Sequence, residues 1–185
     1  MARWEPNARG RLEDAALDLF TEHGFDKTTI AEIAQRAGLT ERTFFRHFAD
    51  KREVLFSGSA LLRDLLTEAA TEAPAGTPPL GAVAVALEKA GDLLQERRAY
   101  ARRRQATIKA NEELLERELV KLASLAEALT EALRSRGVPA PEASVAAETG
   151  IALFRAAYTS WLEEDDTADL PTCIRAAFTT LRTLI

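Results

Sequence analysis

Apolar side chains along this chain recur at spacings of three and four residues, and no segment alternates residue by residue, so the pattern predicts helices and no strand. Leu12, Ala15, Ala16, Leu17, Leu19 and Phe20 mark a first helix. Ile30 and Ile33, followed by Leu39, Phe44 and Phe48, mark two short helices whose apolar sides turn toward it. A fourth helix is predicted over residues 51–72, with Val54, Leu55, Leu61, Leu62, Leu65, Leu66 and Ala69 on one side. It joins a first domain, residues 1–50, to a second, residues 51–185. Pro74, Gly76, Pro78 and Pro79 then break the chain. Ala, Val and Leu dominate a fifth helix at 80–97, and a sixth at 98–109 carries most of the run RRAYARRR. Asn111 is placed to cap a seventh, where Leu115, Leu119, Leu122, Leu125, Leu129 and Leu133 step by three or four residues until Gly137, Pro139 and Pro141 end it. An eighth is expected at 142–163. The acidic pair Asp165 and Asp166 separates it from a ninth at 168–184, with Ile174, Ala177, Phe178, Leu181 and Leu184 on one face.

The run from Thr29 to Phe48, TIAEIAQRAGLTERTFFRHF, has a more specific spacing. Two short helices crossing at roughly 90–120° over a turn of about 3–4 residues need small side chains where their backbones meet and a glycine where the chain reverses. Ala34 and Ala37 supply the first, and Gly38 supplies the second at the place where a left-handed cap must end the helix. Thr40 caps the next helix. Thr29 with Glu32 reads as a capping box, and Asp50 with Glu53 reads as another just after the pair. Arg42, Thr43 and Arg46 are left on the outward side of the second short helix. In a helix-turn-helix that reads DNA, the first turn of the second helix meets base edges, which is where Arg42 and Thr43 fall.

These residues carry a resemblance. Arg11 to Phe56 resembles the amino-terminal domain of TetR-type transcriptional regulators nearly from end to end: Ala16, Phe20, Gly24, Thr29, Ile33, Ala34, Ala37, Gly38, Phe48 and Lys51 stand where that family has its usual residues. The resemblance implies phosphate contacts from Thr29, His47 and Lys51, and a candidate DNA-contact set of Thr29, Thr40, Arg42, Thr43, Phe45, Arg46, His47 and Lys51. At Phe45 the family commonly has Tyr, so the phosphate hydrogen bond of that hydroxyl is missing here. The implied fold class is all-α, a three-helix helix-turn-helix DNA-binding domain followed by a helical bundle for ligand binding and dimerisation. The implied partners are a palindromic double-stranded operator, a second copy of the chain held through residues 142–184, and a small hydrophobic effector that releases a repressor from DNA. From Tyr100 to Ile185, ARRRQATIKANEELLERELVKLASLAEAL and AAYTSWLEEDDTADLPTCIRAAF also look like the ligand domain of the mycofactocin-system regulators, a branch whose effectors include long-chain acyl-coenzyme A. Activation in place of repression, and a dimeric helical adaptor that binds a partner protein, are the alternative functions.

Charge qualifies this picture. Residues 1–56 hold nine Lys/Arg against ten Asp/Glu, yet residues 36–52 hold five Lys/Arg against two acids, and phosphate affinity follows the local field. Arg3, Arg9 and Arg11 form a second basic group ahead of the first helix, either a minor-groove arm or a solvated terminus. Residues beyond 56 carry fifteen Lys/Arg against nineteen Asp/Glu, which disfavours nucleic acid as their partner. Small residues in the last two helices, among them Val145, Ala146, Ala147, Gly150, Ala152, Ala156, Ala157, Ala176 and Ala177, suit either a dimer interface or burial within one subunit.

Candidate ligand residues are Tyr100, Arg102, Arg103, Arg104, Phe154, Tyr158 and Trp161. The three aromatics of the eighth helix share a face and fit core as well as pocket. Five arginines within eight residues repel one another unless Glu96, Glu112 and Glu113 balance them or an anion is bound there. One cysteine and two histidines leave no material for a disulfide, a metal site or a Ser-His-Asp site, so no metal, no cofactor and no enzymatic activity is expected. No run approaches the roughly 18 apolar residues of a membrane span, and the amino end has no signal-peptide core, which predicts a cytoplasmic protein.

Overall fold

The computed structural model describes residues 7–164 and 169–184, and among them there are α-helices and no strand. The helices are α1 (Ala8–His23), α2 (Ile30–Arg36), α3 (Glu41–His47), α4 (Ser59–Thr71), α5 (Pro79–Gln95), α6 (Arg98–Lys109), α7 (Glu112–Ser135), α8 (Ala140–Glu163) and α9 (Leu170–Leu184), with a 3-10 turn at Glu53–Phe56. Arg3 and the Asp165–Asp166 pair lie outside the described residues.

Chain contacts divide the protein into two compact units, and the division differs from the expected boundary at residue 50. The first unit comprises residues 1–57 together with Arg102–Glu118, the end of α6 and the start of α7. The second comprises Gly58–Ala101 and Leu119–Ile185. Buried Ile108 and Leu114 lie in the 102–118 segment, and ion pairs to Asp18, Arg52 and Glu53 tie it into the first unit, a connection that helical periodicity does not reveal.

In the first unit α1 packs on α2, on α3 and on the 3-10 turn. Most of the expected core is found: Leu12, Ala16, Leu17, Ile33 and Phe44 are fully buried, with Phe20, Ala34, Ala37 and Phe48 around them, while Ile30 and Leu39 are half-buried and Phe25 joins the core. The predicted fourth helix over 51–72 does not begin at residue 51. Asp50 Oδ1 takes the N–H groups of Arg52 (2.8 Å) and Glu53 (3.0 Å), and the next backbone bond, Leu55 to Arg52, has 3-10 spacing. Only half of the second expected capping box is present, because the Glu53 carboxylate bonds to Arg117 instead. An α-helix resumes after Gly58 as α4.

In the second unit α5 is central, packed against α4, α8 and α9, and α8 packs on α9. Ala82, Val83, Ala86, Leu87, Ala90 and Gly91 form its buried side, small enough for close approach. Arg98 donates to the carbonyls of Trp161 and Glu164 (3.0 Å), closing the C-terminal end of α8. Arg136 does the same for α4, donating to the carbonyls of Thr71 (2.9 Å), Ala73 (2.5 Å) and Pro74 (3.1 Å).

The leucine stripe of α7 is partly corrected. Leu125, Leu129 and Leu133 are buried, but Leu115 and Leu119 are exposed and Leu114 is buried in their place. Eleven residues make about three helical turns, so Leu114 and Leu125 fall in line, with Glu118 between them turned to Arg104.

Gly150 and Ala157, expected at a dimer interface, are buried inside the subunit. A Cβ at Gly150 would run into Val83 Cγ1 of α5, so this glycine sets how closely α8 and α5 approach. Gly150→Ala is therefore expected to destabilise the protein by about 1–3 kcal/mol through overpacking, and Val83→Ala in the same chain to recover part of that loss. Urea unfolding of the single and double variants measures both.

Candidate nucleic-acid interface

The turn between α2 and α3 is built from short-range bonds that its residues are suited to make. Thr29 and Glu32 form the capping box: the Thr29 hydroxyl accepts from the Glu32 N–H (3.2 Å), and Glu32 Oε2 accepts from the Thr29 N–H (2.8 Å). That backbone bond, with the Thr29 hydroxyl, holds the Glu32 carboxyl below its ordinary value. At the other end of α2, Leu39 N–H donates to the Ala34 carbonyl (2.8 Å) while Gly38 takes φ +65°. Thr40 then caps α3 by accepting from the Thr43 N–H (3.2 Å).

Phe44 fastens α3 to the core, its ring tilted against that of Phe48 with centroids 5.5 Å apart. Its burial leaves Glu41, Arg42, Phe45 and Arg46 on the outer side of α3. Phe45 is 55% exposed, held edge-on against Phe44 at 83°. Arg42 and Arg46 are exposed and make no ion pair among the described residues. Thr43 is half-buried, with its hydroxyl 3.1 Å from that of Thr40. Arg42, Phe45 and Arg46 thus present two unpaired guanidinium groups flanking an aromatic ring, suited to base edges and phosphates.

The other basic residues near this face have partners within the protein. Arg36 makes a two-pronged pair with Glu22 (3.0 and 2.8 Å), whose carboxyl the Arg36 hydrogen bond holds below its ordinary value. Lys51, expected at a phosphate, instead directs Nζ to the carbonyls of Phe25 (2.8 Å), Thr28 (3.1 Å) and Asp26 (3.3 Å), over the Phe25 ring at 4.4 Å. An ammonium has three donors, and all three are occupied in closing the α1–α2 loop. His47 is half-buried, with Nε2 out of reach of solvent and without a hydrogen-bond partner among the described residues. Arg9 and Arg11 belong to α1 and not to an arm: Arg9 donates to the Ser57 carbonyl (2.5 Å) and lies over the Phe48 ring, and Arg11 donates to the Ala37 carbonyl at the end of α2. The Arg11 guanidinium lies 2.7 Å from where a Cβ of residue 38 would be, a second reason for glycine there.

Arg52 and Arg117 were not singled out by the sequence pattern. Asp50 Oδ2 accepts from Arg52 Nε (3.2 Å) and Nη2 (3.0 Å), Arg52 also pairs with Glu113, and Arg117 Nε donates to Glu53 (2.6 Å). Burial raises the Asp50 carboxyl, but the Arg52 hydrogen bond, the Glu53 N–H and the charges of Arg52 and Arg117 outweigh it and hold the group below its ordinary value. Partners up to 64 residues apart leave no local signal in a sequence.

The expected ligand residues fall in both units. In the first, Arg103 pairs with Asp18 (2.6 Å), and Arg104 donates to the Leu55 carbonyl (2.6 Å) and to Glu118 (3.0 Å). Neither Glu96 nor Glu112 balances those two guanidinium groups, and Glu113 pairs with Arg52. Arg102 is half-buried. In the second unit Tyr100 lies under Arg97 at 4.2 Å, and Phe154, Tyr158 and Trp161 form a continuous aromatic row with centroids 5.7 and 5.5 Å apart. Trp161 is fully buried and lies under Arg98 at 5.3 Å. Cys173 is half-buried, and burial followed by the charges of Glu164 and Asp169 pushes its thiol up, away from thiolate chemistry. No described helix is long and apolar enough to cross a membrane.

The family model for bacterial regulatory proteins of the TetR family matches residues 12–57, and that for the MftR C-terminal domain matches residues 77–185. The chain belongs to the TetR family of bacterial regulatory proteins, whose members are transcriptional regulators and not enzymes, and its second part is of the MftR type. The HTH-type transcriptional regulator TcmR of Streptomyces glaucescens is 39% identical over 75 residues, 40% of this chain and 33% of that protein. A putative mycofactocin biosynthesis transcriptional regulator, MftR of Mycobacterium tuberculosis, is 40% identical over 43 residues, 23% of this chain and 22% of its own length. These curated relatives are thus matched over a third of their length or less. Among solved structures, the SmeT–triclosan complex superposes with TM-score 0.65 at 20% identity, covering 94% of this chain and 90% of that one. FadR of Thermus thermophilus, a TetR-family repressor in complex with lauroyl-CoA, superposes with TM-score 0.50 at 25% identity, covering 94% and 92%.

Lys51→Met is expected to lower stability by about 2 kcal/mol, since three carbonyls lose a charged donor, and to speed amide exchange in residues 25–29. Denaturant unfolding and exchange by mass spectrometry measure the two effects; a variant as stable as the parent would contradict the loop-closing role.

Proposed function

We propose that the protein is a transcriptional regulator that binds an inverted-repeat operator as a homodimer and is released from it by a small hydrophobic effector. The observation that carries the DNA-binding reading is the outer face of α3, where Arg42 and Arg46 stand exposed and unpaired beside an exposed Phe45 on a helix fastened by buried Phe44. A seven-residue helix that meets base edges with its first turn makes Arg42 and Thr43 the base readers and Thr40, Arg46 and Thr29 the groups nearest the backbone. One such helix reads one half-site, so a second copy is needed to place its partner about 34–36 Å away in the next major groove. The dimer reading is supported by the exposed sides of α8 and α9, where Val145 (67% exposed), Ala152, Ala156, Ala176 and Leu184 (76% exposed) offer small and apolar surface within residues 142–184.

A gel shift on DNA upstream of the protein's own gene tests this reading. A specific band is expected for the parent, a loss of preference among operator variants for Arg42→Ala, worth about 1–3 kcal/mol of discrimination, and a monomer without specific binding for Ala152→Glu. Absence of any specific band would refute the regulator reading and leave a helical adaptor.

For the effector, the likeness to the lauroyl-CoA complex of the Thermus protein supports an acyl-coenzyme A. Arg103 and Arg104, offered to its phosphates, already hold carboxylates in the first unit, so the reading rests on Tyr100 and the row Phe154, Tyr158 and Trp161 of the second. Calorimetric titration with palmitoyl-coenzyme A is expected to give heat at micromolar ligand with a change in tryptophan fluorescence. Silence in both removes acyl-coenzyme A and leaves the DNA reading untouched.

A further inference from the structure

The segment that follows the recognition helix is held from outside by charged side chains of α6 and α7. After α3 ends at Phe48, the chain passes through Asp50 into the 3-10 turn Glu53–Phe56, with no regular helix between to stiffen it. Its own hydrogen bonds are few: Asp50 Oδ1 accepts the Arg52 and Glu53 N–H groups, and Leu55 N–H bonds to the Arg52 carbonyl. Lys51 bonds the carbonyls of the α1–α2 loop, Arg52 bonds the Asp50 carboxylate, and further contacts to its polar groups come from the 102–118 segment. Glu113 takes Arg52, Arg117 takes Glu53 and lies 4.0 Å from Asp50, and Arg104 takes the Leu55 carbonyl while lying over the Phe56 ring at 5.0 Å. Arg52 is thus clamped between Asp50 on its own segment and Glu113 on α7, and Asp50 between Arg52 and Arg117. The side chains are between 23% and 56% exposed, and as a network of several charges they count for more than a single surface pair. The depressed Asp50 carboxyl accords with such a net of cations.

We infer that Arg52 and Arg117 are positioning residues for the recognition helix: with Asp50, Glu53 and Glu113 they form an ion-pair latch that fixes the chain immediately after α3. The latch rests on the DNA-binding reading proposed above for its consequence, since it acts on DNA only through α3. Both α6 and α7 continue beyond this unit, so the chain crosses the division at three places, after Ser57, after Ala101 and after Glu118. The connection expected of a single long fourth helix is replaced by three, of which the two in α6 and α7 are uninterrupted helix. A shift of either helix along its axis changes the distances of the latch directly, and neither Arg52 nor Arg117 needs to touch DNA to alter DNA affinity.

The test uses the full chain as Arg117→Glu and Arg117→Gln, and the polarity-reversed Arg117→Glu/Glu53→Arg. Two readouts are taken: amide exchange of residues 41–48 without DNA, and affinity for operator against unrelated DNA. Arg117→Glu is expected to speed exchange in 41–48 by about tenfold and to lower operator affinity about tenfold, as broken contact pairs commonly do. Affinity for unrelated DNA should fall much less, and the reversed pair should bring both measurements back to within about threefold of the parent. If Arg117→Glu does not fold, Arg117→Gln carries the same comparison. Unchanged exchange in 41–48, unchanged operator affinity despite faster exchange, or no recovery in the reversed pair overturns the latch. A parent protein that binds no DNA specifically overturns the proposed function instead, and exchange alone then decides whether the latch holds α3.

Discussion

An α-helix leaves its last four carbonyls without partners, and a fold made of short helices has many such ends to satisfy. In this protein, long cationic side chains from distant places in the sequence take up that task. Arg11 meets the end of α2, Arg136 the end of α4, Arg98 the end of α8, and Lys51 the three carbonyls of the α1–α2 loop. Each contact satisfies acceptors, and the three arginines also place positive charge at the negative end of a helix dipole and fix that end against another element. The helix-turn-helix owes its geometry to two of them. Arg11 sits beside Gly38 at the turn, and Lys51 holds the loop that leads into α2.

The same use of cations shapes the candidate interface. Residues 36–52 carry a local positive balance, yet Arg36 is paired with Glu22, Lys51 bonds carbonyls, and Arg52 joins Asp50 and Glu113. Only Arg42 and Arg46 of that group stand exposed without an ion pair among the described residues, one at the first turn of α3 and one at the last. The outward charge is therefore smaller than the count suggests and more sharply directed. Specific reading by a few base contacts is favoured by such an arrangement over diffuse attraction to the backbone. The second unit follows a different logic, in which small residues on α5 and Gly150 on α8 let helices approach closely and large aromatics fill what remains.

How much was legible depended on the range of the interaction involved. The helix-turn-helix was readable because its determinants lie within four residues of one another: Thr29 with Glu32, Ala34 with Leu39 around Gly38, Thr40 with Thr43. Helix α6 was placed at 98–109 as found, because its ends are marked by a change in composition and by Asn111. The predicted fourth helix failed at its start, where Asp50 competes for the backbone N–H groups that an α-helix would use. Buried and exposed leucines on α7 were confused for a related reason. Leu115 has the periodicity of a core residue, but only packing decides that Leu114 goes inward.

By itself, then, the sequence determined the all-helical class, the helix-turn-helix with its caps and its glycine, and the outward placement of Arg42 and Arg46, since each follows from local bonding and the 3.6-residue period. The tertiary structure decided which cations are free. Arg9, Arg11, Lys51, Arg52, Arg103 and Arg104 look alike in a sequence, and each can reach a phosphate, a carboxylate or a carbonyl. Apart from near neighbours such as Asp50 beside Arg52, their partners lie from 14 to 85 residues away, on elements brought near only by folding. Long flexible side chains take the nearest acceptor that the packed backbone leaves open, and that acceptor is a property of the fold.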